Sequence, residues 1–413
     1  MAPQMSLASM GVPARTSAGS VLRQRSQIPA KHQRSGRRAV AAAAAQPRQP
    51  GRGAQGVSCD SVGPTWGGSV APPGWAPVAD PIKEPGPDYS TVQRNLALEL
   101  VRVTEAAALS AGRWLGKGDK NAADQAAVDM MRKVLNSVPM TGVVVIGEGA
   151  KDEAPMLYCG ERIGEGTTEM DIAVDPLDGT TLCATGRSGA IAVIAVAKRG
   201  SLFDPGPVMY MEKIAVGPNV PAKSISLDFP VEKNLQAVAK ALGKPIGDVT
   251  VLVLDRPRHA ELVKEIREAG SRIRFISDGD VAGAIETAKA GAGVDIMMGI
   301  GGTPEGVIAA AALKCMGGTL LGRLYPRNEE ERTQALAKGY DLKKVLTIED
   351  LAKGDDIFFA ATGISDGDLL RGVRYYSGGA SSNSMVMRCQ SGTVRFIETF
   401  HKWGRPGVTK PNA

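Results

Sequence analysis

The chain has 413 residues, of which 43% are hydrophobic and 22% are charged, and its formal net charge at pH 7 is +6. This length and balance are typical of a globular protein with a sizeable core in one large or two medium domains, and they exclude a fibre or a chain that is disordered overall. No run of about 18 uninterrupted apolar residues occurs, so the sequence predicts no membrane span and no membrane partner.

Residues 1–59 differ from the rest of the chain in charge. They contain eight Arg and one Lys but no Asp or Glu. This composition is typical of an organelle transit peptide, which we place at residues 1–50. The remainder of the chain then carries a net charge of about −3. A nucleic-acid-binding arm is the alternative, but the arginines have no aromatic residues between them and the body has no evident basic face, so we expect no nucleic-acid partner.

Residues 51–88 are rich in Gly, Pro and Ser, which predicts a flexible lead-in to a fold that begins near Tyr89. Apolar residues at three- and four-residue spacing then predict one helix over residues 96–114 and another over 121–136. The GKGD segment at residues 116–119 separates the two helices.

Short apolar, β-branched runs follow these helices. They predict strands at residues 142–146, in the run before Asp175, at 189–197 and at 210–216. Helices followed by several strands indicate an α+β half over residues 89–247.

From about Asp248 the strand and helix patterns alternate. The predicted strands are 249–254, 272–276 and 294–298, and the predicted helices are 259–269, 281–290 and 307–316. Such alternation is typical of a mostly parallel, layered α/β half, which we place at residues 248–413.

The sequence DIAVDPLDGTT at residues 171–181 carries the strongest chemical signal. An apolar run ends in Asp175 and Asp178, and then a glycine and two threonines follow. Pro176 fixes its own φ and Gly179 permits a sharp turn, so both carboxylates can converge near the strand end. Carboxylate oxygens suit Mg²⁺ or Mn²⁺, although Asp, Pro and Gly also dominate ordinary turns.

Further acidic residues stand where predicted helices or strands begin or end. They are Asp124 in GDKNAAD, Glu148 in IGEG and Glu305 in GIGGTPEG. Together with Asp175 and Asp178 they could form a cluster that binds two or more divalent ions, and paired ions polarise a phosphoryl group.

Two other loops offer groups for a phosphorylated substrate. The RPRH segment follows a predicted strand, so Arg258 could bind phosphate oxygens near a helix N-terminus. The DGD segment could accept hydrogen bonds from sugar hydroxyls, although an N-cap at Asp280 is the simpler role for that residue. In GIGGTPEG, Pro304 replaces the last glycine of a dinucleotide-binding fingerprint, which argues against a nicotinamide-dependent oxidoreductase.

Taken together, these segments resemble class II fructose-1,6-bisphosphatase, in particular the cyanobacterial and plastid form that also hydrolyses sedoheptulose 1,7-bisphosphate. The resemblance extends from about residue 89 to about 401. Its motifs are GDKNAAD, VVIGEGAKDEAPMLY, DIAVDPLDGT, MYMEK, RPRH, SDGDVA, GIGGTPEGV and ATGISDGDLL. The DPLDGT element is shared with the wider inositol-monophosphatase-like superfamily, whereas GDKNAAD, EAPMLY and GGTPEG are specific to this branch.

The resemblance implies a fold, a set of metal ligands and a set of substrate contacts. The fold combines α/β and α+β parts in the layered αβαβα sugar-phosphatase architecture. The metal ligands are Asp124 and Glu148 for one Mn²⁺ or Mg²⁺ and Asp175, Asp178 and Glu305 for a second. The substrate contacts are Asp178, Gly179, Thr180, Tyr210, Arg256, Pro257, Arg258, Asp278, Gly279, Asp280 and Gly302. Some relatives carry Glu at the position of Asp178 or Lys at that of Arg256.

The implied reaction removes the 1-phosphate of the sugar bisphosphate by in-line attack of water. Thr180 is expected to position the water or the phosphate, and Lys120 with Arg258 to offset negative charge. Asp152 is the candidate for orienting or deprotonating the water. The family also implies a homo-oligomer, a tetramer, and it favours the chloroplast stroma as the destination of the transit peptide.

Two alternatives remain within reach of the same motifs. An inositol or nucleotide monophosphatase would also contain DPLDGT, but the branch-specific loops argue against it. A catalytically silent sugar-phosphate-binding regulator would have lost part of the metal site, yet all five carboxylates are present.

Overall fold

The computed structural model describes residues 96–149 and 156–403. The predicted transit peptide at 1–50 and the lead-in at 51–88 lie outside these residues. So does Asp152.

The larger of the two sheets in the described ranges has eight strands. They are β1 (Thr141–Ile146), β2 (Arg162–Ile163), β3 (Glu169–Asp178), β4 (Ile191–Lys198), β10 (Ile357–Gly363), β11 (Arg374–Tyr376), β12 (Gly379–Arg388) and β13 (Thr393–Lys402). The order is β11-β12-β10-β4-β3-β1-β2, with β13 paired to β12. Strands β1 and β3 are parallel, and the other pairs are antiparallel.

The smaller sheet has five strands within the same ranges. They are β5 (Tyr210–Val216), β6 (Thr250–Leu254), β7 (Arg272–Ile276), β8 (Ile296–Gly302) and β9 (Thr319–Leu324). The order is β7-β6-β8-β5-β9. Strand β6 is parallel to β7 and to β8, whereas β5 is antiparallel to β8 and to β9.

The helices connect and cover these sheets. They are α1 (Leu96–Ala111), α2 (Lys120–Leu135), α3 (Thr180–Thr185), α4 (Val231–Leu242), α5 (Ala260–Glu268), α6 (Asp280–Glu286), α7 (Thr303–Cys315), α8 (Glu329–Ala337) and α9 (Ile348–Leu351). Among the described residues, no helix combines the length and the apolar character that crossing a membrane requires.

Three hydrophobic cores define five layers. The first core joins α1 and α2 to one face of the larger sheet, for example through Leu100 and Ile172. The second joins the other face of that sheet to α6, α7 and the smaller sheet. The third joins the outer face of the smaller sheet to α4 and α5, for example through Val253 and Ile266. The resulting order of helix, sheet, helix, sheet and helix confirms the predicted layered αβαβα architecture.

The mostly parallel second half is a prediction that the structure corrects. Two of the four strand pairs in the smaller sheet are antiparallel, because β5 runs opposite to both of its neighbours, β8 and β9. The expected boundary after residue 247 also does not separate the sheets, since β10 to β13 return to the larger sheet. The periodicity of apolar residues predicts each helix or strand, but it does not predict which strands pair or in which direction.

Helix α7 is buried on every side between the two sheets. Its residues Ala309, Ala310, Ala311 and Ala312 are at most 1% exposed. A helix that is apolar all round belongs in a protein interior, and its small side chains let both sheets approach it. Because α7 also carries Glu305 in its first turn, its packing fixes one carboxylate of the candidate site.

Enlarging a side chain in α7 should destabilise the fold. We expect Ala310→Leu to lower the free energy of unfolding by about 1 to 3 kcal/mol, because added methylenes in a filled core force neighbouring groups apart. The urea midpoint followed by circular dichroism measures this change. The matched control is Ala337→Leu at the exposed end of α8, and equal midpoints for the two variants would contradict the sandwiched position of α7.

Candidate active site

The carboxyl ends of the parallel strands in both sheets carry the motif residues. Glu148 follows β1, and Asp175 and Asp178 end β3. In the smaller sheet, residues 256–258 follow β6, residues 278–280 follow β7, and Gly302 ends β8. Ligands of open α/β sheets bind outside the carboxyl ends of strands, so this is where a site is expected.

A β-bulge places Asp175 and Asp178 on the same face. Residues three apart on a regular strand point to opposite faces, but here Asp175 is opposite Val193 while Asp178 is opposite Ile191. The bulge adds one residue to β3, so the side chains of Asp175 and Asp178 point to the same face of the sheet. The backbone N–H of Leu177 donates to Asp175 Oδ1 at 3.0 Å, which holds this carboxylate at the bulge.

Gly179 makes the turn from β3 into α3 with a φ of 90°. That left-handed conformation is costly for a residue with a side chain. The turn leaves Thr180 at the start of α3, where its hydroxyl donates to the carbonyl of Leu177 at 3.3 Å.

The GKGD loop is docked on α3 by backbone hydrogen bonds. The N–H of Gly116 donates to Cys183 and that of Gly118 to Ala184, each at 2.8 Å. Asp119 then caps α2 by accepting from the N–H of Ala122 at 3.0 Å. The loop thereby directs Asp124, in the second turn of α2, toward the same region as Glu148.

Glu148 is held by a close backbone contact. Its N–H donates to the carbonyl of Leu157 at 3.0 Å. A Cβ on the preceding Gly147 would lie 1.9 Å from that same carbonyl oxygen. Only glycine therefore fits at Gly147, and this explains part of the IGEG motif.

The pKa values show that the acidic residues of the first half influence one another. Burial raises the pKa of Asp124. Burial, and then the charge of Asp124, raise the pKa of Glu148 to about 7. Burial raises the pKa of Asp175 well above its usual range, and the charges of Asp178, Glu305 and Glu148 add to the effect.

The acidic residues of the second half extend the same group. Burial, followed by the charges of Asp280, Glu305 and Asp278, raises the pKa of Asp178 well above its usual range. Burial and then Asp280 raise the pKa of Glu305, while the Lys213 ammonium opposes this shift. The carboxylates therefore lie near enough to repel one another, and bound cations would relieve that repulsion.

The chemistry of this group fits divalent cations. Glu305 Oε2 is buried without a hydrogen-bond partner, and a Cβ on Gly302 would lie 1.7 Å from it. Within residues 96–149 and 156–403, no three His, Cys, Asp or Glu side chains already stand close enough to hold one ion. The carboxylates therefore form an open cluster of hard oxygen donors, which Mg²⁺ and Mn²⁺ prefer.

A cavity of about 360 Å³ opens beside this cluster. Acidic side chains and three guanidinium groups line it together. Its charged and aromatic lining consists of Asp178, Asp278, Asp280, Glu305, Arg256, Arg258, Arg327 and Tyr210. Gly279 and Gly302 also line it, whereas Asp124, Glu148, Asp175, Thr180, Lys120 and Pro257 are outside the lining. A neighbouring cavity of about 420 Å³ shares Asp278 and Gly279 but none of the buried metal-ligand candidates.

Arg258 is fixed by a backbone carbonyl. Its Nε and one terminal nitrogen donate to the carbonyl of Ile300 at 3.0 and 2.6 Å. His259 connects the same strands, because its Nδ1 donates to Leu254 and its Nε2 accepts from the N–H of Ile300 at 2.8 Å. Burial lowers the pKa of His259, which keeps it neutral as these two bonds require. Two nitrogens of the Arg258 guanidinium thus anchor the side chain to the protein. The N–H groups of its third nitrogen remain for a phosphate.

Arg327 is a residue of the cavity that the sequence analysis missed. Its guanidinium lies 5.5 Å from the ring centre of Tyr210, and that of Arg258 lies 5.1 Å from the same ring. The Nε of Arg327 donates to Glu331 Oε1 at 2.6 Å, which holds the guanidinium in place. Arg327 follows the end of β9 in a short loop with no motif spacing, so nothing in the sequence distinguished it from a solvated arginine.

One role considered for the DGD segment differs in the structure. Gly279, with a φ of 71°, occupies the N-cap position of α6. The N-cap role considered for Asp280 is therefore wrong, because its side chain instead accepts from Lys213. Asp278 accepts from the N–H of Thr181 at 3.1 Å and lies 3.6 Å from Arg256, so it links the two halves of the site.

The structure describes two of the three proposed catalytic residues. Thr180 starts α3 beside the buried carboxylates, as described above. Lys120 begins α2 and is exposed. Asp152 lies outside the described residues, so its expected role stays a prediction.

The chain matches the family model described as bacterial fructose-1,6-bisphosphatase, glpX-encoded, over residues 94–401. It is 46% identical over 336 residues to a D-fructose 1,6-bisphosphatase class 2/sedoheptulose 1,7-bisphosphatase of Synechococcus sp. strain JA-3-3Ab, a match that covers 75% of this chain and 96% of that protein. It is 47% identical over 324 residues to the fructose-1,6-bisphosphatase class 2 of Haemophilus influenzae strain Rd, with 75% and 97% covered.

Solved structures give a much weaker likeness. The extragenic suppressor protein SuhB of Bartonella henselae is 17% identical, with 46% of this chain and 70% of that chain covered and a TM-score of 0.26. An extragenic suppressor from Pyrococcus furiosus is also 17% identical, with 47% and 68% covered and a TM-score of 0.23. Scores this low carry no argument about this chain.

The raised pKa of Glu148 predicts how the stability of the metal-free protein depends on pH. The folded state retains a proton that the unfolded chain releases near its ordinary pKa of 4.5, and it loses that proton only near pH 7. The contribution of Glu148 to stability is therefore fully present below pH 4.5 and is lost as the pH rises through about 7. In chelator, the free energy of unfolding obtained from urea titrations should fall over this pH range. In Glu148→Gln that fall should be smaller by up to about 3 kcal/mol.

Glu165→Gln, at an exposed position, is the matched control and should leave the profile unchanged. Adding Mn²⁺ above pH 7 should restore stability to the unsubstituted protein, because an ion that binds only the folded state stabilises it. Superimposable profiles for the unsubstituted protein and Glu148→Gln would contradict the predicted electrostatics.

Proposed function

The chain belongs to the bacterial, glpX-encoded fructose-1,6-bisphosphatase family, and from that premise we propose that its site removes the 1-phosphate of fructose 1,6-bisphosphate and of sedoheptulose 1,7-bisphosphate. The chain is a phosphatase of sugar bisphosphates. The observation that supports the specific reaction is that acidic groups and guanidinium groups line one cavity.

The two kinds of charged group in the cavity suit the two ends of a bisphosphate. The carboxylates Asp178 and Glu305 suit divalent ions and hence the phosphate to be cleaved. Arg256, Arg258 and Arg327 line the same cavity. Guanidinium groups bind phosphate with charge-assisted hydrogen bonds, so these arginines suit the phosphate that stays on the sugar. A monophosphate would leave these arginines without a ligand, which favours a bisphosphate over an inositol or nucleotide monophosphate.

The metal ligands that we propose are those given by the resemblance. Asp124 and Glu148 would hold one ion, and Asp175, Asp178 and Glu305 a second. Divalent ions at such a site polarise the phosphoryl group and lower the pKa of water. We propose Mn²⁺ or Mg²⁺, because every donor is a carboxylate oxygen.

Side chains of the protein then orient the reacting groups. Thr180, at the start of α3, is proposed to position the phosphate through its hydroxyl. Asp152 is proposed to accept a proton from the attacking water. Lys120, exposed at the start of α2, supplies positive charge near the leaving group in this scheme.

Location and assembly are proposals of a different kind. The Arg-rich, acid-free composition of residues 1–59 supports import into a plastid and work in the stroma. A homotetramer is supported by the family resemblance alone. Both can be tested on the expressed protein, the first with a fluorescent fusion of residues 1–88 and the second by light scattering.

Removing one carboxylate of the cluster should abolish turnover. We expect Asp175→Asn to lower kcat for phosphate release from either bisphosphate by about 100-fold or more, a loss typical of a preorganised charged group. A colorimetric phosphate assay with Mn²⁺, Mg²⁺ or chelator measures the effect. Asp129→Asn, at an exposed position on α2, is the control. Turnover that survives chelator or Asp175→Asn would refute the metal-dependent reaction.

Arg327 should matter only for substrates with a second phosphate. We expect Arg327→Gln to raise KM for fructose 1,6-bisphosphate by about 10- to 100-fold, because a charge-assisted hydrogen bond is lost. For fructose 1-phosphate, which lacks the remote phosphate, the ratio kcat/KM should stay within about 2-fold, since no such bond forms there.

The matched control for Arg327 is Arg332→Gln on the exposed side of α8, which should leave both substrates unaffected. Equal losses for the bisphosphate and for fructose 1-phosphate would show that Arg327 does not bind the remote phosphate.

A further inference from the structure

Lys213 is a buried cation to which the mechanism above gives no role. It lies in the middle of β5 and is 1% exposed, and it heads the largest fully buried side chains of the described residues. Removing an ammonium group from water costs several kcal/mol unless it is paired. A lysine in this position therefore needs a specific set of partners.

The partners of Lys213 lie at the ends of two elements that border the cavity. Its Nζ donates to Asp280 Oδ2 at 2.7 Å and to the carbonyl of Gly302 at 3.0 Å. Asp280 is the first residue of α6, and Gly302 is the last residue of β8. The ammonium group of Lys213 thus links β5, α6 and β8, and both of its partners line the cavity.

The surroundings of this ammonium group are shaped for it. A Cβ on Gly301 would lie 2.0 Å from Asp280 Oδ2 and 2.9 Å from Lys213 Nζ. A Cβ on Gly306 would lie 3.2 Å from Lys213 Cδ. The glycines of GIGGTPEG therefore leave room for the pair of Lys213 and Asp280, in addition to allowing the chain to approach a ligand.

The pairing leaves Asp280 with one oxygen for another partner. The ammonium of Lys213 donates to Oδ2 of Asp280 and not to Oδ1. A carboxylate that is fixed through one oxygen can accept a hydroxyl hydrogen bond with the other in a set direction. A free carboxylate would pay rotational entropy to adopt the same orientation.

We propose that Lys213 is a positioning residue of the substrate site: it fixes Asp280 and the carbonyl of Gly302 to β5, so that Asp280 presents Oδ1 to a sugar hydroxyl. This inference rests on the proposed function, because it assumes a sugar phosphate in the cavity. Lys213 itself does not touch the substrate. It acts through Asp280.

The substitution Lys213→Met keeps most of the length of the side chain and removes its charge. We expect it to raise KM for fructose 1,6-bisphosphate by about 10-fold or more and to lower kcat less, because a binding contact loses its orientation. Calorimetry in chelator gives a second measurement without turnover. There the Kd for fructose 6-phosphate should rise by a similar factor.

A double variant separates positioning from stability. Lys213→Met leaves Asp280 as an unpaired buried charge, so the urea midpoint should fall. In Lys213→Met/Asp280→Asn neither charge remains, and the midpoint should return toward that of the unsubstituted protein. KM should stay as high as in the worse single variant, because both changes remove the same oriented carboxylate. Recovery of KM together with stability would show that Lys213 is structural only and would overturn the proposal.

The controls distinguish this proposal from the proposed function. If the unsubstituted protein neither hydrolyses the bisphosphates nor binds fructose 6-phosphate, then the proposed function fails and the role of Lys213 fails with it. If the unsubstituted protein does both and Lys213→Met has the same KM and Kd, then the role of Lys213 alone is refuted.

Discussion

Repulsion among buried carboxylates is the constraint to which the rest of the site responds. Asp178 is buried and Asp175 and Glu305 are partly buried, and their mutual charge adds to the effect of burial on the pKa values of Asp175 and Asp178. A protein rarely keeps such a group unless cations compensate for it. Lys213 supplies one fixed positive charge from within the chain. Divalent ions are the natural source of the rest, and such ions next to a phosphate polarise it for attack.

The layered fold places these charges without exposing them. Strands β1 and β3 bring Glu148 and Asp175 to one edge of the larger sheet, while β8 and α7 bring Glu305 to the facing edge of the smaller one. Because α7 is packed between both sheets, its first turn cannot move away from Asp178 without disturbing the central core. Asp175 and Glu305 therefore stand on a strand and a helix rather than on loops, which favours a fixed geometry for the reacting phosphate.

The cationic half is built in another way. Two of its three arginines are fixed by a neighbour, Arg258 by a backbone carbonyl and Arg327 by Glu331. Anchoring lowers the entropy that a long side chain loses when it binds phosphate. Both guanidinium groups also lie over the ring of Tyr210, so cation–π contacts help to hold them in place. A ligand with two phosphates can therefore meet both halves at once.

The sequence by itself determined the local features: the helices and strands, the turn at Gly179, the acidic motifs and the family they resemble. These depend on periodicity and on backbone conformation, which neighbouring residues set. Lys213 could have been found, since it is in phase with the buried Met211 and Ala215 on β5. Arg327 could not, because nothing near it in the chain reports its distance from Tyr210. Only the tertiary structure decided strand direction in the smaller sheet and brought Asp178 beside Val281, because contacts between distant segments depend on how whole layers pack.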